Sequence, residues 1–189
     1  MRAFIGIELP DEVRRALAQL QRELQAARAD VKWVEPKNLH LTLKFLGEIS
    51  EAQRQGVEAC LKRIASQQPP FTLQLQGVGA FPSVESPRVV WVGIAQGKEE
   101  VRALAERIEQ EATTLSLRQE ERPFSAHLTL GRVRSPRNRK ALAQRLRKAA
   151  WQPPGPFQVE SITLFQSLLS SAGPTYTVLA SIPLSLAGI

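Results

Sequence analysis

The sequence of 189 residues predicts an α+β fold of antiparallel sheets with helices on one side of each sheet. The tetrapeptide His-Leu-Thr-Leu occurs twice, at residues 40–43 and 127–130, and the two copies contain both histidines of the chain. Hydrophobic periodicity gives a series of strands and helices whose second half resembles its first half. Since no glycine- and serine-rich linker separates the halves, we expect residues 1–189 to form a single domain with two lobes.

The first part of the chain is expected to form a strand, a helix and then two further strands. Apolar residues predict a first strand at 2–9, and apolar positions at helical spacing predict a helix over residues 11–27. A short strand at 31–34 precedes the first motif strand, which is expected at 39–46 and to end at Gly47. The first copy of the repeated tetrapeptide therefore lies in a strand.

The middle of the chain predicts a capped helix and a strand pair. Ser50 and Gln53 fit a capping box for a helix over residues 51–66. Alternating residues 71–78 and apolar residues 88–95 predict two antiparallel strands. The intervening GAFPSVESP is expected to be a long turn, since it contains glycine, proline and serine.

The last part of the chain repeats this order. A third helix is expected at 98–116, and the second motif strand at 125–133. Ser135 and Pro136 fit the N-cap and first-turn positions of a fourth helix that ends near residue 149. The remaining elements are expected to be strands at 157–165 and 175–183, joined by a turn at 166–174.

Composition excludes several classes of protein. Hydrophobic residues make up 43% and charged residues 23% of the chain, as in ordinary globular proteins. No apolar run approaches the roughly 18 residues of a membrane helix, and the start of the chain lacks the layout of a signal peptide. The single cysteine, Cys60, excludes an internal disulfide. We therefore expect a cytoplasmic monomer with no membrane association and no obligate protein partner.

The net charge of +7 is concentrated in one stretch. Residues 1–123 contain 17 Lys and Arg and 17 Asp and Glu, whereas residues 124–189 contain 8 basic residues and one acidic residue. All eight of those basic residues lie between Arg132 and Lys148, just after the second motif. A solvated basic face is one interpretation; the position next to a motif favours a polyanionic substrate, nucleic acid above all.

Strand alternation turns each tetrapeptide into a His-Thr pair. Residues i and i+2 of a strand share a face, so His40 lies beside Thr42 and His127 beside Thr129, with the leucines on the opposite face. Two imidazoles can act as a general acid and a general base near neutral pH. The threonine hydroxyls can donate to phosphate oxygens. A single such motif would most simply be packing, but two identical copies that hold every histidine indicate a site.

Metal binding is the rival use of two histidines. Neither motif has Cys, Asp or Glu at ligand spacing, and two imidazoles alone make a poor metal site. The chain also lacks a Gly-x-Ser-x-Gly nucleophile motif and a phosphate-binding glycine loop. We expect no metal and no cofactor.

Longer strings resemble one family. Two His-x-Thr motifs with the flanks RAFIGIELP, HLTLKFLG, PRVVWVGI, RPFSAHLTLGR and LFQSLLSSAGPTYTVLASIPL resemble the RNA 2′,3′-cyclic phosphodiesterases, or 2′-5′ RNA ligase-like proteins, of the two-histidine phosphoesterase superfamily. The resemblance covers nearly the whole chain and implies two α+β lobes around a cleft, with one motif from each lobe. It implies metal-free hydrolysis of a 2′,3′-cyclic phosphate at an RNA end, such as that of a tRNA fragment, to a 2′-phosphate. Some members also join RNA ends by a 2′-5′ linkage.

The resemblance also implies a role for each motif residue. His40 becomes the proton donor to the leaving 3′ oxygen, His127 becomes the base that activates water, and Thr42 and Thr129 hold the phosphate. One departure is Ala126, where relatives often have proline. From the residues alone, either histidine could be the acid.

Two basic residues and several aromatic residues are further candidates for substrate contacts. Arg132 matches the family string, but strict alternation places it opposite His127, so it reaches a phosphate only if the strand bends, which Gly131 permits. Lys44 is expected on the face of His40, as a phosphate contact or as a solvated lysine at the strand end. Aromatic residues that could stack on a base are Phe4, Phe45, Phe81, Phe124 and Tyr176.

Two other functions remain open from the sequence. The first is a phosphodiesterase that acts on small cyclic nucleotide phosphates, against which the basic run argues. The second is an RNA-binding module without catalysis, in which the histidines would be dispensable.

Overall fold

A computed structural model of the chain describes residues 1–186. The strands and helices follow the order that the sequence predicts, with three short strands in addition, one of which comes from division of the strand expected at 157–165. In chain order they are β1 (Arg2–Glu8), α1 (Asp11–Gln25), β2 (Val31–Trp33), a 3₁₀ turn (Pro36–Asn38), β3 (His40–Glu48), α2 (Glu51–Ala65), β4 (Gln67–Gln68), β5 (Phe71–Pro82), β6 (Pro87–Gln96), α3 (Lys98–Thr113), β7 (His127–Val133), α4 (Arg139–Lys148), β8 (Phe157–Val159), β9 (Ser161–Ser170), β10 (Gly173–Pro183) and β11 (Ser185–Leu186).

Two antiparallel sheets form the framework and confirm the α+β class. One has the strand order β10-β9-β1-β3 and the other has the order β2-β7-β6-β5-β8, while β4 pairs with β11. The two motif strands occupy equivalent positions: β3 is paired with β1, and β7 is paired with β6 in the same antiparallel manner. The sheets are therefore related by a pseudo-twofold repeat, and this repeat is what the duplicated tetrapeptide reflects.

The core lies on the leucine faces of the motif strands. Leu41, Leu43, Leu128 and Leu130 are buried in one apolar cluster that spans both sheets. Each helix contributes apolar residues at helical spacing to that cluster, among them Leu17, Leu61, Leu104 and Leu142. Burying a leucine side chain stabilises the fold by about 1.5–3 kcal/mol. The helices thus cover the leucine faces and leave the opposite faces, which carry the histidines, open.

Both hairpins are tighter than the sequence predicts. The strand expected at 71–78 continues to Pro82, and its partner begins at Pro87, so only residues 83–86 form the turn. Likewise, β9 continues to Ser170 and β10 begins at Gly173, so the turn expected at 166–174 is wrong. Gly77 has a φ of +81° and lies at a register shift within β5.

The start of α2 lies where the sequence predicts it, whereas the start of α4 does not. Ser50 and Gln53 form the expected capping box at the start of α2. The expected start of α4 at Ser135 and Pro136 is wrong, since the helix begins at Arg139 after Asn138. Asn138 has a left-handed backbone conformation with a φ of +54°, and its side chain donates to the carbonyl of Arg28, in the segment after α1, at 3.0 Å.

None of the helices described within residues 1–186 is long and apolar enough to cross a membrane.

Candidate active site

His40 begins β3 and its ring is held at both nitrogens. Nδ1 lies 2.6 Å from the carbonyl oxygen of Asn38, and Nε2 lies 2.8 Å from the Thr42 hydroxyl. Because a carbonyl only accepts, Nδ1 carries the proton in the neutral ring and Nε2 accepts from Thr42. The His40–Thr42 pair expected from strand alternation is therefore present as a direct hydrogen bond.

His127 begins β7 and repeats the first part of this arrangement. Its Nδ1 lies 2.7 Å from the carbonyl oxygen of Ser125, again two residues before the histidine. The neutral ring therefore presents the Nε2 lone pair. Thr129 is half-buried on the same face of β7, but it makes no hydrogen bond to His127, unlike its counterpart Thr42. In both halves the backbone fixes the tautomer and leaves Nε2 for chemistry.

A β-bulge interrupts both motif strands after the threonine. In β3 the partner of Gly6 is Thr42 and the partner of Ile5 is Lys44, so Leu43 is the extra residue. In β7 the partner of Trp91 is Thr129 and the partner of Val90 is Gly131, so Leu130 is the extra residue. Beyond each bulge the alternation of faces is reversed.

The bulge buries Lys44, and its expected place on the face of His40 is wrong. The lysine is 6% exposed, and its Nζ donates to Glu109 at 2.6 Å and to the carbonyl of Arg118 at 2.9 Å. Strict alternation from Leu41 and Leu43 would place Phe45 on the leucine face, but Phe45 is 59% exposed. Lys44 therefore joins β3 to α3 and to the segment after it, through a charged contact that leaves no free ammonium for a phosphate.

The equivalent bulge turns Arg132 outward, so strict alternation fails there as well. Arg132 is exposed, while Leu130 and Gly131 are both buried. A Cβ at Gly131 would lie 2.8 Å from Val31 and 2.9 Å from Trp33, so the close approach of β2 favours glycine at this position. Gln21 fixes the same point, since its amide donates to the carbonyl of Leu130 at 2.9 Å. Phe45 and Arg132 thus occupy equivalent positions in the two halves.

Aromatic rings surround both histidines. Phe4 stacks on His40 with ring centroids 4.6 Å apart, and Tyr176 meets the same ring edge-on at 5.3 Å. Phe81 meets His127 edge-on at 5.0 Å. Of the aromatic residues expected as base-stacking candidates, Phe4 is 3% exposed, and Phe124 packs against the core. Phe45, Phe81 and Tyr176 keep accessible ring surface.

Burial lowers the pKa of both histidines below the ordinary value of 6.5. For His40 the hydrogen bond to Asn38 opposes this shift, and the charge of Arg14 adds to it. For His127 the bond to Ser125 opposes the lowered pKa, and the charge of Arg132 adds to it. Both rings are therefore held toward the neutral form until a negative charge enters the site.

The two motif strands approach each other, and the space between their histidine faces is a candidate cleft. Strands β3 and β7 contact one another although they belong to different sheets. The positive charge of Arg132, on β7, adds to the lowering of the His127 pKa. The ring of Tyr176 lies against His40. Burial raises the pKa of Tyr176, and the charge of Arg132 opposes that shift. The charge of Arg132 therefore acts on His127 and on a ring that lies against His40.

The rest of the basic run lies away from this cleft. Helix α4 carries Arg139, Lys140, Arg145, Arg147 and Lys148 as exposed residues, and it packs on the leucine side through Leu142 and Leu146. Near the start of the run, Arg134 pairs with Asp30 at 3.0 Å. Of the run, Arg132 is the residue whose charge acts on a motif histidine.

Sequence reasoning missed the groups that orient the site. The carbonyls of Asn38 and Ser125 leave no signal, because every residue supplies a carbonyl. Asn38 itself is buried, and its side chain donates to the carbonyl of Pro174 at 2.9 Å, which ties the turn before His40 to the strand that carries Tyr176. The only sequence feature that could have indicated this contact is the asparagine two residues before the first motif. Within residues 1–186, no three His, Cys, Asp or Glu side chains are grouped as a metal site would require.

Comparison with known proteins agrees with this duplicated architecture. The family model "LigT like Phosphoesterase" matches the chain twice, at residues 7–91 and 92–176. An RNA 2′,3′-cyclic phosphodiesterase of Archaeoglobus fulgidus is 38% identical over 176 residues, which are 93% of this chain and 96% of the relative. A crystal structure of the TT0787 protein of Thermus thermophilus has a TM-score of 0.80 at 32% identity and covers 99% of this chain and all of its own. E. coli LigT complexed with 3′-AMP has a TM-score of 0.78 at 31% identity and covers 97% of each chain. The chain belongs to the LigT-like phosphoesterase family.

Proposed function

We propose that this protein hydrolyses 2′,3′-cyclic phosphate ends of RNA to 2′-phosphomonoesters by acid-base catalysis without a metal. His127 Nε2 takes a proton from water, the water oxygen bonds to phosphorus, and the bond from phosphorus to the 3′ oxygen breaks. His40, protonated on both ring nitrogens when substrate is bound, gives the proton on Nε2 to that 3′ oxygen and returns to the neutral Nδ1–H form. The products are a 2′-phosphate and a 3′ hydroxyl. The same site run in reverse, with an RNA hydroxyl in place of water, forms a 2′-5′ linkage.

The observation that carries this proposal is the pair of equivalent His-Thr strands facing each other, each with Nδ1 bonded to a backbone carbonyl. Nε2 is then the nitrogen that transfers a proton in both rings, once Thr42 releases that of His40, and the positive charge of Arg132 acts on His127 and on Tyr176 beside His40. The curated relatives are named RNA 2′,3′-cyclic phosphodiesterases, and these names support the proposed reaction and substrate. A cytoplasmic location, indicated by the single cysteine, is part of the same proposal.

Product analysis tests the reaction and the assignment of the two histidines together. A short RNA with a 2′,3′-cyclic phosphate is incubated with the protein in the presence of EDTA, and the products are separated. We expect the 2′-phosphate at an undiminished rate. A 3′-phosphate would reverse the roles of His40 and His127, and loss of activity that zinc restores would contradict the metal-free mechanism. RNA binding without turnover would support the non-catalytic binding module instead.

The pH dependence of kcat/KM is expected to be bell-shaped and displaced toward acid. Burial lowers the pKa of both rings below 6.5, so the alkaline limb, where His40 loses its proton, begins below that value. Arg132→Gln removes a charge that lowers the pKa of His127. The acidic limb, where His127 becomes protonated, should therefore move to higher pH in this variant. The rate is measured from pH 4 to 9 on one substrate at constant ionic strength; an acidic limb that does not move would remove Arg132 from the site.

The charges on α4 should affect long substrates alone. We expect Arg139→Glu combined with Lys140→Glu to raise KM for a cyclic-phosphate oligonucleotide about three- to tenfold at low salt, with the difference vanishing at high salt. KM for a nucleoside 2′,3′-cyclic phosphate should not change, because the helix lies away from the cleft. If wild-type protein turns over both substrates equally at low salt, the basic run does not bind RNA, and the small cyclic phosphate becomes the better substrate.

A further inference from the structure

Two exposed basic side chains lie directly opposite each other in the sheet β2-β7-β6-β5-β8. Lys32 of β2 is the register partner of Arg132 of β7, and both residues are exposed; they are called the basic pair below. Directly opposite residues of an antiparallel pair point to the same face, with Cβ atoms about 4.5–5.5 Å apart. Like charges at this separation repel each other. The basic pair therefore weakens the sheet unless an anion lies between the two side chains.

The acidic residues at both ends of β2 are engaged with other partners. Asp30, before the strand, pairs with Arg134 at 3.0 Å, and Glu35, after the strand, pairs with Lys37 at 3.4 Å. None of the ion pairs described within residues 1–186 includes a member of the basic pair. The two positive charges are therefore available to a ligand.

The basic pair shares the face of the second His-Thr pair. Val31 is buried in the core and lies against Gly131, so the next residue along the strand, Lys32, points away from the core. On β7 the charge of Arg132 adds to the lowering of the His127 pKa, which places the basic pair beside the candidate active site. Lys32 lies one strand further out, because β2 is the edge strand of its sheet.

The position of the basic pair separates Lys32 from the phosphate that reacts. His127 and Thr129 lie before the bulge of β7, whereas β2 pairs with residues 131–133 beyond it. The strand from Thr129 to Arg132 extends over at most about 10 Å, and Lys32 lies a further strand, about 4.8 Å, to the side. A phosphate at the two His-Thr pairs therefore has Arg132 as its neighbour, and Lys32 is placed for the next phosphate of the same chain.

We propose that Lys32, together with Arg132, binds the phosphodiester on the 5′ side of the terminal nucleotide, the first one behind the cyclic phosphate. The inference rests on the proposed function, since the cyclic phosphate must lie at the two His-Thr pairs for this phosphodiester to reach Lys32. A nucleoside 2′,3′-cyclic phosphate has no such group, so the basic pair favours RNA ends over single nucleosides. Phosphate contacts carry no sequence information, so the preference is independent of the base.

Three substrates and a variant of Lys32 test the proposal. KM and kcat are measured on a nucleoside 2′,3′-cyclic phosphate, on a dinucleotide 2′,3′-cyclic phosphate and on the same dinucleotide with an uncharged methylphosphonate as its internal linkage. At low salt we expect Lys32→Gln to raise KM about three- to tenfold on the dinucleotide with the phosphodiester alone, with kcat unchanged. On that substrate the slope of log KM against log salt concentration should fall by about 0.7, the value for one contact to a single strand.

Two further variants separate the charge of Lys32 from the structure around it. Lys32→Arg keeps the charge and should retain the wild-type KM. Lys98→Gln replaces an exposed lysine that begins α3, on the helix-covered side of the sheets, and should change KM on none of the substrates. Because Lys32→Gln removes the repulsion from Arg132, its thermal unfolding temperature should equal or exceed that of the wild-type protein. A raised KM then does not come from loss of structure.

The pattern across the three substrates decides the proposal. If Lys32→Gln raises KM equally on all three, Lys32 acts on the reacting phosphate or through the general field of the protein, and the proposal is wrong. An unchanged KM on the dinucleotide with the phosphodiester also overturns it. Failure of the proposed function has a different signature, because the wild-type protein would then hydrolyse none of the three. Dissociation constants of the two dinucleotides, measured without turnover, would still show whether Lys32 binds the phosphodiester.

Discussion

Replacement of either motif histidine by alanine should lower kcat on a cyclic-phosphate RNA by roughly 10²- to 10⁴-fold, the usual contribution of a general acid or base. His40 and His127 both present Nε2 to the cleft, because Nδ1 of each ring is bonded to a carbonyl two residues earlier. Tyr176 also lies against the His40 ring, but burial raises the pKa of its hydroxyl, so it is a poor replacement for the imidazole. The rate is measured at saturating substrate, so that a change in binding does not enter.

A second substrate separates the acid from the base. A phosphodiester whose leaving group is 4-nitrophenolate needs no proton on the departing oxygen. His40→Ala should therefore lose much less activity on this substrate than on the cyclic phosphate, whereas His127→Ala should lose about as much on both. The opposite pattern would exchange the two roles, and an unchanged kcat in both variants would exclude acid-base catalysis at this site.

Stability controls matter most for His40. Its ring stacks on Phe4 and meets Tyr176, so alanine leaves a gap among aromatic side chains. His40→Asn fills part of that gap but has no titratable nitrogen, and we expect it to be as inactive as the alanine variant. His40 also has its pKa lowered by burial, so its contribution to stability is present above pH 6.5 and is lost as pH falls through its folded-state pKa.

The sequence correctly predicts which strand face carries each His-Thr pair, but not the faces of the residues that follow each pair. Two-residue periodicity places His40 with Thr42, and the structure bears this out as a direct hydrogen bond. The same periodicity places Lys44 on that face and Arg132 on the opposite one, and both placements are wrong because each strand contains a bulge after the threonine. Gly131 indicates that bulge in the second copy, but the first copy has lysine at the equivalent position and gives no such sign.

The order of strands and helices could be predicted from the sequence, whereas the bulges could not. Strand and helix order follows from the spacing of apolar residues along the chain, which acts over short distances. A bulge depends on contacts that are remote in sequence: the Gln21 amide bonded to the carbonyl of Leu130 is separated from it by 109 positions. The buried contact of Lys44 with Glu109 is equally remote, at 65 positions. Such contacts have no local pattern, so the residues they position become visible only in the folded molecule.

Replacement of each motif threonine by valine should lower kcat by about 10²-fold, since each variant removes one hydroxyl donor from the phosphate while keeping the shape of the side chain. The two variants should differ in the free protein. The Thr42 hydroxyl is bonded to His40 Nε2 and must change partner when substrate binds, whereas Thr129 makes no such bond to its histidine. Thr→Ser at either position keeps the hydroxyl and should retain most of the activity.

The comparison of kcat with KM decides what the threonines do. A hydroxyl that stabilises charge only as the phosphorus–oxygen bonds rearrange lowers kcat when it is lost and leaves KM nearly unchanged. A hydroxyl that merely holds the phosphate raises KM instead. In this mechanism the Thr42 hydroxyl gives up its bond to His40 when substrate binds, so its net contribution to substrate binding is smaller than that of Thr129. Thr129→Val should therefore raise KM more than Thr42→Val. Equal effects on KM would mean that the Thr42–His40 bond persists in the complex, and Thr42 would then orient the acid and leave the phosphate to Thr129 and Arg132.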